Sequence, residues 1–218
     1  MGKAVIGCET LKRELESAMN EVGVNYEIIW IEPGLHNTPK LLRDRLQKEL
    51  DNIESEVEQI LFALGFCGNS VVGLKPERSK LIIPRVEDCI TLILGDDQKR
   101  KEVSKSGGTY FLTRGWLDSD KNIWNEYCQT VKKYGRKRTK ELFDIMLKNY
   151  EQLGVVDTGV YDLGEFTDTT RKIADTLRLE HVIINGTLDY FKKLLTGPYD
   201  DDFVIIEPGV EVSLEHIV

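Results

Sequence analysis

The stretch Ile60-Leu61-Phe62-Ala63-Leu64-Gly65-Phe66-Cys67-Gly68-Asn69 decides how this chain is read. Ile60 to Leu64, with Phe66, is the unbroken apolar run of a strand buried on both faces. It then breaks into Gly-Phe-Cys-Gly-Asn, where two glycines permit a tight turn. Cys67 therefore sits just past the C-terminal end of a buried strand. In open α/β sheets that edge is where ligands bind.

Further strands are expected at residues 4–7, 26–31, 81–83, 109–113, 155–158, 182–185 and 203–206. Between them lie helical periods. Leu11, Leu15, Met19 and Val22 share one face, and Gly23 closes that helix. Pro39 suits a first helical position, with Thr38 as its N-cap, and Leu41, Leu42, Leu46 and Leu50 follow. Residues 70–74 read as a short helix or turn. Glu87-Asp88-Cys89 begins an apolar helix through Leu94, and residues 98–106 read as a charged, solvated segment. Residues 120–150 form two helices broken at Tyr134-Gly135, and residues 166–179 and 188–195 are helical.

An internal echo links the two ends of the chain. Val5-Ile6-Gly7-Cys8-Glu9-Thr10-Leu11, a helix, then Ile31-Glu32-Pro33-Gly34 parallels Val182-Ile183-Ile184-Asn185-Gly186-Thr187-Leu188, a helix, then Ile206-Glu207-Pro208-Gly209. Duplication is one explanation, and convergence on Pro-Gly turn chemistry is the other. The expected fold is α/β, with Rossmann-like parallel-sheet halves and a helical insert. The expected division is residues 1–118, an N-terminal half carrying the site; 119–152, a helical segment; and 153–218, a C-terminal half. One continuous domain is the alternative.

The 218 residues are 41% hydrophobic and 30% charged, which excludes disorder and implies a packed core. A net charge of −8 argues against nucleic acid and anionic membrane as partners. The basic run Lys132, Lys133, Arg136, Lys137, Arg138 and Lys140 is read as solvated helix ends. No apolar run reaches membrane-spanning length and no secretory leader is evident, so a cytoplasmic protein is expected, its four cysteines kept as thiols. Walker, dinucleotide-fingerprint and nucleophile-elbow motifs are missing, which leaves P-loop hydrolysis, hydride transfer and α/β-hydrolase chemistry unsupported.

Cys8, His36, Cys67 and Cys89 each fall within a few residues of a strand's C-terminal end. If those strands are parallel, about 4.8 Å apart, side chains from neighbouring turns can meet at one ion. Thiolates with an imidazole suit zinc or an iron–sulfur cluster. Taken singly, each cysteine is more often a small buried apolar residue than a ligand. His36 is a fourth ligand or a general acid/base, with Asp88 and Asn69 beside it as supporting candidates. Arg85 and Arg114, the latter next to Trp116, also end strands. They either hold an anionic substrate or cofactor or pair with acidic neighbours. Cys128, His181 and His216 are placed outside the site.

Ile6-Gly7-Cys8-Glu9, Leu35-His36-Asn37 with Pro39, Leu64-Gly65-Phe66-Cys67-Gly68-Asn69, Pro84-Arg85 with Asp88-Cys89, and Gly108-Thr109-Tyr110-Phe111-Leu112-Thr113 with Gly115-Trp116 together resemble the family catalogued as domain of unknown function 1638. The resemblance spans residues 3 to 210. Members occur in anaerobic bacteria and methanogenic archaea, often encoded near corrinoid-dependent methyltransferases, which implies one-carbon metabolism. The expectation is then a metal-binding protein serving methyl transfer. Its partner would be a corrinoid protein or methyltransferase, and its small-molecule substrate a thiol or methyl donor. In an enzyme, the metal would hold a substrate thiolate as methyl acceptor. An iron–sulfur redox protein and a non-catalytic corrinoid-binding accessory protein are the alternatives.

Overall fold

The computed structural model describes residues 2–53, 56–105 and 107–217. Strand β1 (Gly2–Cys8) leads through a 3-10 turn into helix α1 (Lys12–Val22), which Gly23 ends in the left-handed region at φ 71°. Strand β2 (Glu27–Ile31), helix α2 (Pro39–Asn52), strand β3 (Val57–Ala63) and strand β4 (Lys80–Pro84) follow. Helix α2 turns Leu42, Leu46 and Leu50 inward at four-residue spacing. Thr38 does occupy its N-cap position, but the Thr38 hydroxyl makes no capping bond; Pro39 needs none.

Beyond β4 come helices α3 (Cys89–Leu94) and α4 (Asp97–Val103), strand β5 (Gly108–Leu112), and helices α5 (Arg114–Asp118) and α6 (Ile123–Met146). The segment read as charged and solvated is mostly helix α4, capped by Asp96; its last residue, Ser106, lies outside the described residues. Helix α6 carries a break at Gly135, φ 77°, where the sequence places one. Strand β6 (Tyr150–Asp157), helix α7 (Leu163–Leu177), strand β7 (Glu180–Asn185), helix α8 (Asp189–Thr196), strand β8 (Phe203–Ile206) and helix α9 (Leu214–Ile217) complete the chain.

The strands form a five-stranded sheet, β2-β1-β3-β4-β8, and a three-stranded sheet, β5-β6-β7. Every pair is parallel except β4 with β8. The Rossmann-like α/β expectation therefore holds. The Ile-Glu-Pro-Gly echo does not extend to topology: β1 and β2 are parallel neighbours, whereas β7 and β8 belong to different sheets. The strand of 109–113 pairs with β6 in the second sheet, and β8 returns to the first.

Period-two alternation sorts the central strand between two cores. Leu61 and Ala63 face α1, α3 and α8, while Ile60, Phe62 and Leu64 face α2. Residues 60 to 64 are at most 2% exposed, which is burial on both faces. Val156, Ile184 and the partly buried Phe111 join the first of these cores, so the second sheet packs into the helical layer of the first. A third core lies between the second sheet and helices α6 and α7.

A thiol-lined cleft between two sheets

The five-stranded order places β2 on one side of β1 and β3 on the other. The crossover direction reverses there, which opens a crevice beyond the strand ends. Cys8 is the last residue of β1, Cys67 follows β3, and Cys89 opens α3 after β4. All three line one cleft of about 910 Å³. The second sheet closes its far side through Thr109, Tyr110 and Phe111 of β5 and Trp116 of α5.

Backbone bonds hold the thiol turns together. The amides of Phe66 and Cys67 donate to the carbonyls of Val86 and Glu87, at 2.9 and 2.8 Å. Gly65 lies so close to the next turn that a Cβ there would meet Asp88 Cα at 2.6 Å. The chain then passes through three left-handed residues: Cys67 at φ 44°, Gly68 at 67° and Asn69 at 63°. Only the middle one is glycine. A side chain in this region costs on the order of 1–3 kcal/mol and persists where the surroundings impose it, most often at functional sites.

The Cys89 thiol lies beside those of both Cys8 and Cys67. Contact with the Cys89 thiol, then burial, pushes Cys8 well above the ordinary thiol range. Contact with Cys67, followed by burial, does the same to Cys89. Cys8 Sγ also lies 3.1 Å from Thr10 Oγ1. Buried thiols held this way are protonated at neutral pH, and a soft cation is what favours their ionised forms. Among the described residues, no group of three or more His, Cys, Asp or Glu side chains is set around a common metal position. The thiols are neighbours, but they are not closed into a cage.

His36 stands exposed at the rim of the same cleft, its ring 5.3 Å from that of Trp116. Partial burial lowers its pKa, and the Asp88 charge opposes that shift. Asp88 itself is occupied: its carboxylate caps α3 through the amides of Ile90 and Thr91, both at 3.1 Å. It also accepts from Arg100 Nη2 at 2.7 Å. Asn69 reaches the cleft, with its backbone in the strained turn.

Arg85 and Arg114 are not brought there. Arg85 donates to the carbonyls of Asp201 and His216, and Arg114 pairs with Asp118 at 2.9 Å beneath the ring of Phe166. Arg114 thus makes the acidic pairing expected as one of two readings, whereas Arg85 bonds main-chain carbonyls and no acidic side chain among the described residues. Sequence reasoning missed Arg100, Lys101 and Ser104, because α4 read as plain surface, and it missed Thr10 and Tyr150. Only Thr10 carried a signal, two residues after Cys8. Cys128 and His181 lie outside the cleft lining, and His181 is bonded to Thr170 Oγ1 at 2.8 Å.

The fold and cleft define a two-sheet α/β protein with thiols grouped at a topological switch point. A family profile described as "Protein of unknown function (DUF1638)" matches residues 30–195, and the chain belongs to that family. The matched span contains His36, Cys67, Asn69, Cys89 and Trp116; Cys8 precedes it. Searches of curated proteins and of solved structures found no match. No helix among the described residues is long and apolar enough to cross a membrane.

Proposed function

We propose that this is a cytoplasmic metal-binding protein whose cleft holds a thiophilic ion through Cys8, Cys67 and Cys89. In this reading it serves corrinoid-linked methyl transfer in anaerobic one-carbon metabolism. The observation that carries the metal reading is the convergence of three thiols from separate strand ends. The donor chemistry fits zinc or an iron–sulfur cluster and excludes a hard ion such as magnesium. The side chains must still draw inward to enclose the ion. When bound, the metal would supply Lewis acidity that keeps a substrate thiol ionised near neutral pH.

The chain's own residues do the rest. His36, whose pKa partial burial lowers, would complete the ligand set or take a proton from an entering substrate. Asn69 and Thr10 offer hydrogen bonds around the thiols. Asp88 fixes the start of α3, and with it Cys89. The methyl-transfer context and a corrinoid protein or methyltransferase partner rest on the family resemblance.

An iron–sulfur redox protein is the second reading, favoured by a cleft of about 910 Å³, far larger than one ion needs. Purification without air separates the two. Brown protein with visible absorption identifies a cluster, and colourless protein containing zinc identifies the ion. Either metal is expected to be lost in Cys67→Ala and Cys89→Ala. Unchanged metal content in both variants would defeat the proposal.

A further inference from the structure

The wall of the cleft opposite the thiols is aromatic. His36 and Trp116 meet with centroids 5.3 Å apart and planes tilted by 40°. The Trp116 indole lies beside the Tyr110 hydroxyl. Tyr110 in turn meets Tyr150 edge-on, centroids 5.6 Å apart and planes at 67°. The four rings thus run as one string from the first sheet's rim to the start of β6, and all four line the cleft.

Trp116 and Tyr110 also touch the third core, so packing accounts for one side of each ring. It does not account for the other side, nor for Tyr150, which is 39% exposed. The four charged side chains of the lining cancel in formal charge, Glu87 and Asp88 against Arg100 and Lys101. Arg100, the guanidinium in the cleft lining, is already matched by Asp88 at 2.7 Å and Glu87 at 3.5 Å. The Glu126 carboxylate adds negative charge near Tyr110. Electron-rich ring faces near carboxylates attract cations whose charge is sheathed in methyl groups, which lose little hydration on entry.

We propose that this aromatic wall binds a methylated onium group, a quaternary ammonium or a sulfonium, and presents it to the thiol side of the cleft. The inference deepens the methyl-transfer reading by naming the class of methyl donor. Its binding step needs no metal, so the two can fail separately.

Calorimetric titration of the whole protein with choline, with trimethylsulfonium and with 3,3-dimethylbutan-1-ol tests it. The last is choline's neutral isostere, with carbon in place of the charged nitrogen. Choline or trimethylsulfonium should bind about tenfold or more tightly than the alcohol, and whichever is tighter names the source. Proton NMR should show the onium methyl signal moved upfield by the rings. Trp116→Leu should weaken binding about tenfold, with Trp116→Phe restoring part of it. Tyr150→Leu, at an exposed position, gives the same reading should Trp116→Leu fail to fold. Cys67→Ser with Cys89→Ser should leave onium binding unchanged while removing any metal. Equal affinity for the neutral alcohol, or full onium affinity in both ring variants, would overturn the proposal.

Discussion

Cys67 holds the one strained backbone position that carries a thiol in this cleft. At φ 44° it adopts a conformation that glycine takes without penalty. A Cys67→Gly variant should therefore be more stable than the wild type by about 1 kcal/mol, read as a higher urea midpoint, while losing metal. A lower midpoint would mean that the thiol itself holds the turn together. The thiols were legible in the sequence because each ends or follows a recognisable strand. Arg85 and Arg114 looked equivalent by the same criterion. Their direction was not legible, because it is set by partners far along the chain: the carbonyl of Asp201 for one, the ring of Phe166 for the other. The aromatic wall was hidden for a related reason, since a strand aromatic facing a cleft and one facing a core have the same local pattern.

At the scale of elements, the site depends on how the loops after β3 and β4 are laced. Gly65 permits backbone contact with Asp88, and two amides of the β3 turn bond to the β4 turn. A Gly65→Ala change would set a methyl 2.6 Å from Asp88 Cα, where neither backbone has room to yield. It should cost roughly 1–3 kcal/mol and separate Cys67 from Cys89, lowering metal affinity as well as the melting temperature. Wild-type stability in this variant would show the loops to be independent. The elements themselves were largely readable: the doubly buried strand, the Gly23 stop and the break at Gly135 follow from local chemistry. Helix α4 was not, because its charged sequence lacks an apolar face and it owes its start to the Asp96 cap.

Across the whole molecule, what escaped the sequence was assignment to sheets. Strand β8 follows α8 as β2 follows α1, yet it crosses to the other sheet and runs antiparallel to β4. Direction and partner are tertiary choices, decided by where Phe203, Val204 and Ile206 find a core. The join between the sheets carries a buried acid. Glu14 of α1 is fully buried; one oxygen lies 3.1 Å from Thr158 Oγ1 and the other has no partner among the described residues. Burial raises its pKa above the ordinary 4.5. The folded state thus holds this proton more tightly than the unfolded state. The resulting stability is complete below the unfolded pKa and drains away as pH rises through the folded one. Glu14→Gln, which keeps the shape without the charge, should match the wild type in acid and exceed it at neutral pH. Urea unfolding at both conditions checks this, and a gap that widens toward acid would contradict it.

The central claim is that cysteines from three strand ends grip one soft metal. Elemental analysis of protein purified without oxygen tests it most directly, with Cys8→Ala, Cys67→Ala and Cys89→Ala prepared alongside. The account predicts roughly one zinc, or the iron of one cluster, per wild-type chain, and a large loss in every variant. A wild-type protein that emerges without metal and takes up neither zinc nor iron when supplied would contradict it.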